Sequence, residues 1–145
     1  MNLSITKAPF GVRPPVSKPI PEFLIEVTEE GTRELVSKHY DALVQSSISN
    51  LFPSDKKDIE EAKKNAADFL IQICGGRAYF NENRGAPRMV GRHAPFRIDN
   101  SAREVWLELY KPLLLELKDK GVTETSLRSM WNYLDVFSIW MINTK

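Results

Sequence analysis

Apolar residues that recur every three or four positions constrain this chain more than any other feature of its sequence. In the clearest run, a non-polar side chain returns once per helical turn; its members are Ile59, Ala62, Ala66, Phe69, Leu70 and Ile73. Gly75 and Gly76 follow this run, and glycine readily takes the left-handed conformation that ends a helix. No alternation typical of a strand lasts more than a few residues. The pattern predicts an all-α fold.

The same periodicity predicts three further helices. They cover about residues 30–47, 100–121 and 124–142, and each has an apolar face interrupted by charged positions. At the start of the second of these, Ser101 is followed three residues later by Glu104. This spacing is that of a capping box, in which the two side chains satisfy free amides of the first helical turn. The chain is therefore expected to contain four main helices.

Prolines are concentrated at the beginning of the chain, with five of the nine in the first 21 residues. Because proline donates no backbone hydrogen bond, we expect residues 1–27 to form an extended arm. The remaining residues, 28–145, are enough for one domain. Sequence alone leaves open whether the arm is disordered or lies across that domain. In the second case, the residues that would enter a groove are Phe10, Val12 and Ile20.

Charge and composition argue against several classes of protein. Twenty Lys and Arg against 19 Asp and Glu leave a net charge of +1, without the basic excess typical of proteins that bind nucleic acid or membrane surfaces. No uncharged apolar run approaches the roughly 20 residues of a membrane-spanning helix. Cys74 is the only cysteine, so it forms neither an intramolecular disulfide nor a thiolate zinc site. With no secretory signal at the start, we expect a cytoplasmic protein.

The segment between the second and third predicted helices, residues 77–100, follows neither period and contains five arginines. A long irregular segment inside a compact domain is often functional. It includes His93, one of only two histidines, in the run Arg92-His93-Ala94-Pro95-Phe96. Haem iron needs one imidazole ligand, and cations at the rim suit its propionates; this segment contains both residue types. A surface or structural histidine is the alternative for His93.

The stretch from Gly75 to Ile98, together with Arg103-Glu-Val-Trp-Leu107, resembles the group II truncated haemoglobins. The shared features, in order, are the Gly-Gly helix end, Arg-Gly-x-Pro, Arg-His-x-Pro-Phe and Arg-x-x-Trp-Leu. The resemblance extends back through residues 35–40 and 51–55 and covers about residues 30–142. It implies a truncated globin-like two-over-two helical sandwich around haem b.

The resemblance also implies roles for individual residues. His93 falls on the proximal histidine that binds iron through one ring nitrogen, while Tyr40 and Trp106 fall on distal donors that point toward a bound ligand. A ligand oxygen carries partial negative charge, so such donors slow its escape. Phe52 stands where relatives usually carry Tyr or His, which implies the loss of one distal donor.

Further positions complete the implied site. Ala62 and Ala66 fall on distal positions of the second helix, and their small size implies an open distal side. His39 stands where phenylalanine is common, either as a core histidine or as a helper of the distal donors. Arg92 is the first candidate for a propionate, supported by Arg84. The residues implied as walls of the haem pocket are Phe69, Met89, Phe96 and Ile98.

The function implied by the resemblance is reversible binding of O2, NO and CO by a haem globin. Oxygen transport, oxidation of NO by O2 and reduction of peroxide are all compatible with such a site, so nitric-oxide dioxygenase or peroxidase-like activity is open. The enzymatic uses require an external reductase. Two alternatives come from other classes: a haem-free helical interaction module with residues 77–98 as its binding loop, and a gas sensor whose arm reports the ligand state. The oligomeric state is not indicated.

Overall fold

The computed structural model describes all 145 residues and contains six α-helices and one 3-10 turn at Ser49–Leu51, with no strand. The helices are α1 (Pro21–Leu43), α2 (Lys56–Ile73), α3 (Tyr79–Arg84), α4 (Met89–His93), α5 (Asn100–Asp119) and α6 (Glu124–Ile139). The all-α prediction is therefore confirmed. None of these helices combines the length and the apolar character needed to cross a membrane.

The four long helices form two stacked pairs. Helix α1 packs against α2, and α5 packs against α6, while α1 also contacts both members of the second pair. The core between them is built from the periodic apolar positions of all four helices, each worth about 1.5–3 kcal/mol when fully buried. Its fully buried members include Phe23, Val36, Ile71, Leu107, Leu114, Leu127 and Met130. This arrangement is the predicted two-over-two sandwich.

Helix α1 begins earlier than the predicted start near residue 30. Pro21 occupies its first turn, where a missing N–H costs nothing and the fixed φ favours a helix. The helix is interrupted at Thr28, whose φ of 74° is left-handed, and the Thr28 hydroxyl accepts a hydrogen bond from the Gly31 amide at 3.1 Å. Residues 21–27 are therefore helical, although they belong to the stretch predicted to be extended.

The ends of two other helices bear on the sequence predictions. Gly75 has a φ of +90° and ends α2 as expected. A Cβ on the neighbouring Gly76 would lie 2.6 Å from Leu24 Cδ2, so this second glycine allows close packing. The prediction of a capping box at the start of α5 was wrong. The helix begins at Asn100, and the Ala102 amide donates to Asp99 Oδ1 at 2.8 Å. A carboxylate two residues before the predicted cap satisfies the first turn instead.

The proline-rich arm lies across the domain, which resolves the alternative that the sequence left open. Leu3 is 6% exposed and joins the main core. The Trp131 indole N–H donates to the Ser4 carbonyl, and that of Trp140 donates to the Pro14 carbonyl, both at 2.8 Å. Phe10 and Val12, expected to enter a groove, remain exposed. Hydrogen bonds to extended backbone, rather than those two side chains, hold the arm.

A buried ion pair strengthens this attachment. Arg103 on α5 and Asp135 on α6 are 3% and 6% exposed, and Arg103 Nη2 lies 2.7 Å from Asp135 Oδ1. Thr6 of the arm donates from its amide and its hydroxyl to the two Asp135 oxygens at 2.9 and 2.6 Å. Arg103 Nη1 in turn donates to the Thr6 carbonyl at 2.8 Å, and Nε donates to Ser138 Oγ at 2.9 Å. The arm thus completes the partners of two buried charges.

Candidate functional site

The His93 imidazole is held with one nitrogen free. His93 is the last residue of the five-residue helix α4, and its Nδ1 lies 2.7 Å from the Met89 carbonyl oxygen. Because a carbonyl only accepts, Nδ1 must carry the proton, and Nε2 of the neutral ring keeps its lone pair. Nε2 makes no hydrogen bond to the protein, and the residue is half-buried. This geometry is that of a metal-binding imidazole fixed by a backbone carbonyl.

Trp106 on α5 differs from the other two tryptophans. The indoles of Trp131 and Trp140 are bonded to arm carbonyls, whereas the Trp106 N–H has no hydrogen-bond partner in the protein. Its half-buried ring packs edge-on against His39 and Tyr110, with centroid separations of 5.3 and 4.9 Å. An indole N–H in such a place usually finds a partner. The Trp106 donor is therefore available to a ligand.

Tyr40 on α1 supplies a second free donor. Its ring packs edge-to-face on Phe52, with centroids 5.6 Å apart, and its hydroxyl makes no hydrogen bond to the protein. Burial raises the pKa of the Tyr40 hydroxyl, so the group keeps its proton at neutral pH. Phe52 is half-buried and contributes only apolar surface beside it.

His39, the other histidine, is buried in the core, and its Nε2 has a hydrogen-bond partner in the protein. It is 1% exposed, stacks on Tyr110 with centroids 3.5 Å apart, and places Nε2 2.9 Å from the Trp106 carbonyl oxygen. The carbonyl accepts, so Nε2 carries the proton. Burial lowers the pKa of His39 to about 3, which keeps the ring neutral. His39 therefore supports the backbone and ring of Trp106.

The two predicted distal alanines and the predicted wall residues of the haem pocket differ in burial. Ala62, Ala66 and Phe69 lie on one side of α2 and are half-buried, and Phe69 packs against Phe80 and Phe137 with centroids 5.7 and 6.1 Å apart. Met89 and Ile98 are half-buried, whereas Phe96 is 44% exposed and lies at the surface of the loop after α4.

The two candidate arginines have different surroundings. Arg92 Nε donates to the Pro87 carbonyl at 2.6 Å, and Nη2 donates to the carbonyls of Arg84 and Ala86 at 2.9 and 3.1 Å. Its guanidinium also lies 5.1 Å from the centre of the Phe80 ring. Arg92 thus fastens its own loop, and only Nη1 is uncommitted. The exposed Arg84 side chain makes no hydrogen bond or ion pair, so it is the freer of the two cations.

Cys74 contributes nothing reactive to this region. It is 1% exposed, and burial raises the pKa of its thiol to about 12. No group of three or more His, Cys, Asp or Glu side chains comes together to hold a metal ion. His93 therefore stands alone as a metal-binding side chain, as in sites where a porphyrin supplies the other ligands.

A stacked pair of helical layers that carries one free imidazole nitrogen, together with free indole and phenol donors, is the arrangement of a globin of the shortened, two-over-two class. The chain matches the model of the bacterial-like globin family over residues 27–143, and it belongs to that family. Its relatives within the family are group II truncated haemoglobins, as the sequence motifs indicated.

Three relatives illustrate the similarity. The group 2 truncated hemoglobin YjbI of Bacillus subtilis is 31% identical over 86 residues, which are 59% of this chain and 63% of that protein. The structure of phosphate-bound Hell's gate globin IV superposes with a TM-score of 0.85 at 36% identity, covering 97% of this chain and 86% of that one. A truncated oxygen-avid haemoglobin from Bacillus subtilis superposes with a TM-score of 0.73 at 26% identity, covering 83% and 98%.

The matches to curated relatives cover 33–63% of the length of those proteins, whereas the structural matches cover most of both chains. Globin membership implies haem binding, and the residues present fit that group. The lone pair of His93 Nε2 has no protein partner, which is the donor that haem iron needs, and the Trp106 indole and Tyr40 hydroxyl are likewise without a partner in the protein.

The site includes one residue to which the sequence analysis assigned no role. Asn143, in the tail after α6, hydrogen-bonds to the loop that follows His93. Its partners lie 45 to 50 positions earlier in the chain, so no local spacing or motif connects them.

Proposed function

We propose that this chain is a haem b globin that binds O2, and also NO and CO, on the side of Tyr40 and Trp106. The observation that carries the proposal is the set of three polar atoms without protein partners: His93 Nε2, Tyr40 Oη and Trp106 Nε1. When bound, haem b supplies an iron with one coordination position for His93 and one for the diatomic ligand. The protein supplies the orientation and the polarity on each side.

On the proximal side, the hydrogen bond from His93 Nδ1 to the Met89 carbonyl does two things. It fixes the tautomer, so that Nε2 keeps the lone pair with which it would bind iron, and it increases the electron density of the ring. The bond lies within one turn of α4, so the ring and its helix move together.

On the distal side, two neutral donors act on a ligand whose outer atom carries partial negative charge. The Trp106 indole and Tyr40 hydroxyl each offer one hydrogen that no protein group uses, and such bonds are stronger to charged than to neutral acceptors. His39 restrains Trp106 from behind through its backbone carbonyl. The description of the Bacillus subtilis structure as oxygen-avid agrees with retention of O2 in this family. Phe52 removes a third donor and moderates that retention.

The candidates for binding the haem propionates are arginines of α3 and α4. Arg84, which has no partner of its own, is the better candidate, and Arg92 can contribute only Nη1 while it holds the loop. Reversible O2 binding is the use that the geometry supports best. Oxidation of NO or reduction of peroxide would draw its electrons from a separate reductase.

Absorption spectroscopy of the purified protein tests the proposal. We expect a strong Soret band in the oxidised form that shifts on reduction with dithionite and again under CO. His93→Ala should lose the histidine-ligated spectrum, while the matched variant of the other histidine, His39→Phe, should keep it. A protein that stays colourless after addition of hemin would overturn the proposal and favour a haem-free interaction module.

Replacing Trp106 by phenylalanine tests the distal donor. The change keeps an aromatic ring but removes the N–H, so we expect O2 to dissociate about tenfold faster, the equivalent of one hydrogen bond of about 1.4 kcal/mol. Stopped-flow displacement of O2 measures the rate. Trp140→Phe is the matched control, because that indole binds the arm. An unchanged rate in Trp106→Phe would remove the indole from the mechanism.

A further inference from the structure

The tail after α6 is attached to the loop that carries His93. Met141 and Ile142 are buried, which brings Asn143 against the segment from His93 to Ile98. The Asn143 amide donates to the Ile98 carbonyl at 2.9 Å, and the Thr144 amide donates to the same oxygen at 3.0 Å. Backbone hydrogen bonds alone therefore hold the tail beside the loop.

The Asn143 carboxamide then binds this loop at three points. Its Nδ2 donates to the carbonyls of His93 and Phe96 at 3.2 and 2.8 Å, and its Oδ1 accepts from the Ile98 amide at 2.9 Å. If the carboxamide were rotated by 180°, its NH2 would face the Ile98 amide and its oxygen would face the His93 and Phe96 carbonyls. These partners therefore determine the orientation of the carboxamide. Both ends of the side chain are thus used on a single loop.

Apart from the Asn143 contacts, the helix that carries His93 is held by Arg92, whose guanidinium bonds the preceding loop and lies 5.1 Å from the centre of the Phe80 ring. Helix α4 has five residues and none of them is buried, and so short a helix is not stable by itself. It starts after Arg88, whose φ of 43° is left-handed. The internal bond from His93 to Met89 ties the ring to α4 but does not tie α4 to the core.

We propose that Asn143 is a positioning residue for His93, setting the height and tilt of the imidazole through the His93 carbonyl and the loop up to Ile98. The inference rests on the proposed function, because it concerns His93 as an iron ligand. An imidazole whose backbone is held in one place would present Nε2 to iron in the same way throughout the population. The prediction is therefore that the C-terminal tail determines how firmly the haem is retained.

The test compares Asn143→Ala and Asn143→Asp with Asn132→Ala, an exposed asparagine on α6. The first readout is the rate at which the ferric protein loses hemin to excess apomyoglobin. We expect both Asn143 variants to lose hemin about tenfold faster, the equivalent of one or two lost hydrogen bonds. The aspartate variant keeps the shape and the acceptor but lacks both donors, so it should behave like the alanine variant.

The second readout is the iron–histidine stretching band in the resonance Raman spectrum of the reduced, ligand-free protein. Under the proposal it shifts or broadens in the Asn143 variants and is unchanged in Asn132→Ala. If the band and the hemin loss rate match the wild type, the positioning role is wrong although the globin function stands. If only the melting temperature falls, Asn143 is a structural residue and the inference also fails. If the wild type itself shows no such band, the proposed function fails instead.

Discussion

Acid should destabilise this protein through His39, and replacing that residue by phenylalanine should remove the effect. The imidazole is 1% exposed, lies between Trp106 and Tyr110, and has no charged side chain stacked on it. Burial lowers its pKa to about 3, against 6.5 in the absence of the fold. Between these two values the unfolded chain binds a proton that the folded chain does not, so stability must fall as the pH falls.

The size of the effect follows from the two pKa values. Each unit of pKa difference is worth about 1.4 kcal/mol, so lowering the pH from above 7 to 5 should remove about 2 kcal/mol from the free energy of unfolding. His39→Phe also loses the bond to the Trp106 carbonyl, which lowers its stability by a constant amount at every pH. Only the slope of the difference between the two proteins reports on the proton.

Urea unfolding followed by circular dichroism, with both proteins in the reduced CO form, measures this slope between pH 8 and pH 5. All other titratable groups are the same in both proteins, so their contributions cancel in the difference. We expect the wild type to lose about 2 kcal/mol relative to His39→Phe over this range. Parallel curves, differing by a constant within about 0.5 kcal/mol, would refute the claim that the folded protein excludes the proton from this ring.

Two further predictions concern buried polar groups. Asp135→Ala should lower the free energy of unfolding by about 3–5 kcal/mol, because it leaves the Arg103 charge buried and removes both acceptors of Thr6. Urea unfolding measures this loss, with the exposed Asp58→Ala as the control. A loss below about 1 kcal/mol would contradict the prediction. Asn65→Leu should raise the free energy of unfolding by about 1 kcal/mol, because Asn65 Oδ1 is buried without a donor; a decrease in the same assay would show that this oxygen has a partner.

The helices and the family could be predicted from sequence because their signals are local. The apolar period of α2, the left-handed Gly75 and the run around His93 each lie within a few residues of one another. The start of α5 was predicted, but its capping residue was not, because Asp99, Asn100 and Ser101 are all acceptable caps and only the actual amide geometry selects Asp99.

The features that the sequence leaves open depend on contacts between distant parts of the chain. The arm has no period of its own, since its bonds are made by extended backbone to α5 and α6, more than 120 positions away for Thr6 with Asp135. Which of Arg92 and Arg84 is the better candidate for a propionate depends on which guanidinium already binds backbone carbonyls, and the sequence does not contain that information. Asn143 was missed for the same reason, because its three partners belong to another segment.

The docked arm also implies an order of events during synthesis. Thr6 is translated 129 residues before its partner Asp135, and Ser4 is translated 127 residues before its partner Trp131. At about 5–20 residues per second, the arm waits roughly 6–25 s for its binding surface. During that interval Leu3 has no core to enter, and Arg103 emerges before the carboxylate that neutralises it. The arm therefore reaches its native place only after α6 has been made, although it is translated before every helix of the domain.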